Sequence, residues 1–136
     1  MIDAATRRLV IERAGNRCEY CRLPQAAYAA TFNVDHVVAS QHRRDDGHSN
    51  LALSCPKCNR KKGPNLAGID PATQSVVTLF HPRTDVWSDH FRWNGPLLIG
   101  ITPRGRATIV ALDLNGSGRV ELRRALILEG VFPPVD

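Results

Sequence analysis

Cys18-Glu19-Tyr20-Cys21 and Cys55-Pro56-Lys57-Cys58-Asn59-Arg60-Lys61-Lys62, with Asp35-His36 and Asn50 between them, are the residues on which the fold of this chain turns. Two residues between thiolates let a tight knuckle bring both sulfurs onto one ion, and two knuckles complete a tetrahedron. The 33 residues between the knuckles exceed the usual ribbon spacing, so further structure is inserted there. Disulfides suit an oxidising compartment, for which nothing else in the sequence speaks, and a redox Cys-x-x-Cys would leave the other pair idle. Cys18, Cys21, Cys55 and Cys58 are therefore expected to hold a structural Zn²⁺. A closed four-thiolate site of this kind contributes on the order of 10 kcal/mol to folding. It has no open coordination position, so this zinc is expected to do no chemistry.

Working outward from the knuckles, residues 3 to 14 read as a helix, with Asp3 as N-cap, Leu9, Val10 and Ala14 as a partial apolar face, and Gly15 as the stop. Thr31 to Val38 has strand-forming residues in loose alternation and ends near Asp35-His36. Gln41 to Asn50 is polar, with Asp46-Gly47 as a turn signal, and reads as a surface loop. Leu51-Ala52-Leu53 reads as a second strand, followed by a short helix from Pro56 or Lys57 to about Lys62 that Gly63-Pro64 ends. Asn65 to Ala72 reads as a joint. Beyond it, Ser75 to Phe80, Trp87 to Trp93 and Leu97 to Ile101 are strand candidates. Thr102-Pro103 opens a helix carrying Ala107, Val110, Ala111 and Leu114, and a second helix spans about Gly118 to Glu129. Trp87, Phe91 and Trp93 are expected in a core rather than stacked on bases.

The residues between the knuckles have the chemistry of a phosphodiester hydrolase. Such an enzyme must activate water, hold a metal against the scissile phosphate and align the two. A neutral imidazole activates water near pH 7, and a neighbouring carboxylate with an amide oxygen suits a hard divalent ion. Asn59 follows the second knuckle directly, so the zinc site would fix where its side chain points. Folding Asp35-His36 against that helix start would bring a base and two oxygen ligands into one cleft. Strict alternation along a strand would put Asp35 and His36 on opposite faces, so the strand is expected to end or distort there.

In its order of Cys-x-x-Cys, Asp-His, Asn and Cys-x-x-Cys-Asn-x-x-Lys, the chain resembles the HNH endonuclease family over about residues 15 to 63. The resemblance implies an α+β fold. Its centre would be a zinc-stapled ββα-metal core, treble-clef-like, with an N-terminal helix and a C-terminal strand-plus-helix extension. His36 would be the general base and Asn50 a brace for the loop. Asp35 and Asn59 would bind a catalytic Mg²⁺ or Mn²⁺. Asn59 stands where the family often has His, which favours an oxygen-loving ion over a soft one. The chain is expected to divide into a core over residues 1–70 and an extension over 71–136 packed on it as one compact body. The extension is similar to that of some small bacterial HNH proteins through Leu79-Phe80-His81-Pro82-Arg83 and Trp87 to Trp93.

Charge supports an anionic partner. The net charge is +5, and residues through Asp70 carry eleven basic against seven acidic side chains, so most of the excess lies with the cysteines. Lys57, Arg60, Lys61 and Lys62 on the second helix, with Arg43 and Arg44 on the loop, are the expected phosphate-backbone contacts. The expected partner is nucleic acid, with DNA its expected form. No stretch reads as a membrane span or secretory leader, which implies a soluble, cytoplasmic protein. Two other classes share these features in part: a zinc-stabilised nucleic-acid-binding module without catalysis, and a zinc-dependent protein-interaction module. Neither accounts for Asp35, His36 and Asn59 together.

Overall fold

A computed structural model describes residues 2–134, an α+β arrangement of short helices and three two-stranded antiparallel sheets. The chain divides into two compact units. One comprises the chain up to Leu66 together with His81–Asp85; the other comprises Ala67–Phe80 and the chain from Val86 onward.

In the first unit, helix α1 (Ala4–Arg13) starts where Asp3 Oδ1 accepts from the Thr6 amide at 2.7 Å. Val10 is its one buried residue and Leu9 stays exposed, so an apolar stripe does not hold it. Its arginines reach backbone instead. Arg7 donates to the Phe32 carbonyl at 2.9 Å, and Arg13 to the carbonyls of His48 and Leu51 at 3.0 and 2.7 Å. These bonds fasten both flanks of the motif to the helix. Strands β1 (Asn33–His36) and β2 (Leu51–Ser54) pair antiparallel, with Asp35 opposite Ala52 and His36 opposite Leu51. Every β2 residue is buried, whereas β1 is half-buried throughout. Helix α2 (Pro56–Lys62) follows at once. Cys55 caps it, with Sγ accepting from the Cys58 amide at 3.4 Å, Pro56 enters its first turn, and Gly63 leaves it at φ +51°.

The second unit opens with β3 (Ala67–Ile69) paired to β4 (Val76–Thr78). Asp70 ties the connecting turn through the Ala72 amide and the Thr73 hydroxyl, and its carboxylate takes a forked pair from Arg106 at 2.9 Å on each arm. Helix α3 (Trp87–His90) leads into β5 (Phe91–Asn94), which pairs with β6 (Leu97–Gly100). Helices α4 (Pro103–Ala111) and α5 (Ser117–Leu128) complete the unit. Backbone meets backbone at α4: a Cβ on Gly105 would lie 2.2 Å from the His90 carbonyl oxygen, and one on Gly100 would lie 2.6 Å from the Arg106 nitrogen. Trp87 packs on Phe91 and Trp93 with ring centroids 5.0 and 5.5 Å apart, and Trp93 packs on Phe132 at 4.9 Å.

Three sequence expectations differ from these elements. The joint expected at Asn65 to Ala72 contains β3, whose Ala-Gly-Ile pairs with β4 although it offers little pattern of its own. The Trp87 to Trp93 segment is a helical turn followed by a strand, because its polar Ser88-Asp89-His90 stretch closes a turn before Phe91 enters β5. Finally, the division between units falls at Leu66, and His81–Asp85 returns to the first unit.

Candidate active site and zinc centre

The four cysteine sulfurs converge. All are buried and unbridged by disulfides, and their Sγ atoms lie within 4.8 Å of one another. Cys21 and Cys55 are 3.8 Å apart. Thiolates at about 2.3 Å from a shared tetrahedral zinc would be spaced by about the same amount, so the donor set fits a structural Zn²⁺. The first knuckle is shaped by the backbone: Cys18 donates to Leu23, Arg22 donates back to Cys18, and Arg22 takes φ +66°. Glu19, inside that knuckle, exchanges with β2 twice. Its amide donates to the Leu53 carbonyl at 2.9 Å, and its Oε2 accepts from the Leu53 amide at 2.8 Å. Its other oxygen pairs with Arg83, both side chains being nearly buried. Burial pushes the Arg83 guanidinium down to about 10. Glu19 thus fastens the first knuckle to β2, and Arg83 braces Glu19.

Asp35 and His36 close β1. The strand is regular up to His36 and stops there, one of the two outcomes expected at this point. Asp35 turns toward α2. With the Asn59 amide oriented to satisfy its hydrogen bonds, Nδ2 donates to the two Asp35 oxygens at 3.1 and 3.2 Å, and Oδ1 accepts from Asn33 Nδ2 at 3.1 Å. A half turn of that amide presents its oxygen to the Asp35 carboxylate, two oxygens facing one point, which is the donor chemistry of a hard divalent cation. Burial raises the Asp35 carboxyl above its ordinary value, against a smaller lowering from the Lys62 charge. A bound cation would offset that burial.

Lys62 corrects an expectation. It is 2% exposed, and its ammonium donates to the Val37 carbonyl at 2.7 Å, just past the end of β1. It braces the strand end and lends charge to Asp35, and it is closed to a phosphate. Burial pulls its own pKa down. Of the other cations expected to meet nucleic acid, Arg60, Lys61, Arg43 and Arg44 are exposed, and Lys57 is half-buried.

His36 lines a cleft of about 500 Å³ together with Ser40, Arg44, Asp45 and Asp46. Its Nε2 lies 2.6 Å from Asp46 Oδ1. This bond holds the Asp46 carboxyl below the usual carboxylate range. Asn50, 1% exposed, holds the loop that lines the cleft. Its Oδ1 accepts from the Val38 amide at 2.9 Å, and its Nδ2 donates to the Val38 and Asp45 carbonyls at 3.1 and 2.9 Å. One side chain therefore ties the chain leaving β1 to the loop that carries Asp46. The sequence showed Asp46 only as half of a turn signal, and gave Glu19 and Arg83 no role of their own. Nothing in their spacing marks them, because their partners lie ten and 64 residues away.

Residues 18–65 match the model of the HNH endonuclease family. The chain is also similar to the Septu protein PtuB of Bacillus thuringiensis. The two are 26% identical over 125 residues, which covers 87% of this chain and 44% of that protein. The chain thus spans less than half the length of this curated relative. No solved structure matches. No helix among the described residues is long and apolar enough to cross a membrane.

Proposed function

We propose that the chain is a metal-dependent endonuclease that hydrolyses phosphodiester bonds of nucleic acid, with DNA the expected substrate. The observation that carries this is the end of β1, where an imidazole lines an open cleft and the preceding carboxylate lies within 3.1–3.2 Å of the Asn59 amide. An HNH domain supplies the class of activity; the side chains supply the roles.

Asp35 and Asn59 would hold Mg²⁺ or Mn²⁺. When bound, that ion supplies electrostatic stabilisation of the charge developing on the phosphate and leaving oxygens. His36 removes a proton from the water that attacks phosphorus opposite the leaving 3′ oxygen, giving 5′-phosphate and 3′-hydroxyl ends. Arg44, which lines the same cleft, is placed to neutralise phosphate charge. Exposed Arg60, Lys61 and Arg43 add backbone contacts, and half-buried Lys57 does so through its ammonium. Asn50 touches no reacting atom and acts by holding the loop. The structural Zn²⁺ on Cys18, Cys21, Cys55 and Cys58 keeps α2, and so Asn59, against β1.

Titrating Mg²⁺ into a cleavage assay with Asp35→Ala tests the ligand assignment. A large rise in the Mg²⁺ needed for half-maximal activity, or its loss at every concentration, is expected. A titration curve matching the parent's would remove Asp35 from the site.

A further inference from the structure

We propose that Asp46 is a positioning residue for the base: its carboxylate accepts the Nε2–H of His36, which leaves Nδ1 as the nitrogen that takes the proton from water. This rests on the reading of His36 as general base and adds which nitrogen acts and what orients it.

The bond is short, 2.6 Å from Nε2 to Asp46 Oδ1, below the usual span of N–H···O bonds. Among the described residues it is the one hydrogen bond made by the His36 ring. An ionised carboxylate can only accept, so the proton shared with it belongs to Nε2 and the lone pair to Nδ1. An imidazole whose far nitrogen is fixed in this way keeps one tautomer and one ring orientation.

Asp46 does not arrive there by chance of a surface loop. The Asn50 amide holds the carbonyl of the preceding residue, Asp45, at 2.9 Å. Asp45 Oδ1 accepts from the Gly47 amide at 2.9 Å, and the Gly47 carbonyl accepts from the Asn50 amide at 2.9 Å. The residues on either side of Asp46 are thus pinned in a closed turn. That turn is in turn anchored on Val38, two residues beyond the histidine. Asn50 and Asp46 form one device: the amide sets the turn, and the turn delivers the carboxylate. With its side chain 60% exposed against 25% for His36, Asp46 adds little to folding. Its effect should fall on the reaction.

The test uses the full zinc-loaded chain in a plasmid-nicking assay, comparing the parent, Asp46→Ala and His36→Ala, with ¹⁵N NMR of the histidine rings alongside. Asp46→Ala should lower kcat by about ten- to a hundredfold, with KM for plasmid and the Mg²⁺ requirement unchanged. His36 should show the Nε2–H tautomer in the parent and a mixture in Asp46→Ala. A variant with the parent's kcat and tautomer would overturn the proposal. So would a shift in Mg²⁺ requirement with kcat retained, which would make Asp46 a metal ligand. If the parent itself does not cut, the nuclease reading fails separately, and the ring spectrum still decides: a tautomer unchanged by Asp46→Ala overturns the positioning role.

Discussion

Lys61 and Lys62 are neighbours in a run of basic residues, yet one is exposed and the other is sealed against the Val37 carbonyl. A helix advances by about 100° per residue, so adjacent side chains in such a run must face different surroundings. Lys62→Met should cost about 1–3 kcal/mol, since it strands a buried carbonyl, and should leave the salt dependence of DNA binding unchanged. Arg60→Ala and Lys61→Ala should do the reverse, each reducing the slope of log affinity against log salt by about one. Urea melts and binding titrations at several salt concentrations separate the two. An unchanged slope for all three would remove α2 from the interface. The residue types of the site were legible in sequence because metal and proton chemistry restrict them severely. Whether a given lysine is exposed was not, since burial depends on where β1 ends.

At the scale of elements, the ββα unit was readable because each piece announces itself locally. Pro56 at the helix entry, Gly63 at its exit and the apolar Leu51-Ala52-Leu53 each carry their own signal. Strand β3 and helix α3 carried none: Ala67-Gly68-Ile69 is ordered by pairing with β4, and α3 is a single turn. The two long-range ties on the motif were equally silent in sequence. Arg83→Met would leave the Glu19 carboxylate nearly buried without its cation, and should destabilise the protein by about 3–5 kcal/mol. Asn50→Ala removes three hydrogen bonds at once, so amide exchange at Val38 should accelerate together with that of the Asp45–Gly47 turn. Exchange measured by NMR that stays as slow as in the parent would mean that Asn50 does not hold the loop.

For the molecule as a whole, stability comes from two different sources. In the first unit it is the cysteine cluster: Cys55→Ser should lose bound zinc and the thermal transition of the motif together, whereas a variant that melts like the parent without zinc would contradict the staple. In the second unit, Arg106 holds the Asp70 carboxyl well below the usual carboxylate range. A carboxylate depressed on folding stabilises the protein above its unfolded pKa, about 4, and that contribution is lost as pH falls through the folded value. Asp70→Asn should therefore melt lower than the parent at pH 7, with the gap narrowing steadily below about pH 4. A gap of constant size between pH 7 and pH 2 would exclude this pair as its source.

Whether the end of β1 is a catalytic centre can be decided by supercoiled-plasmid nicking with Mg²⁺, Mn²⁺ or EDTA, comparing the parent with His36→Ala at equal zinc content. Cleavage is expected to need the divalent ion and to fall at least a hundredfold in the variant, with DNA binding retained. Equal cleavage by both proteins, or none by either while DNA stays bound, would contradict it.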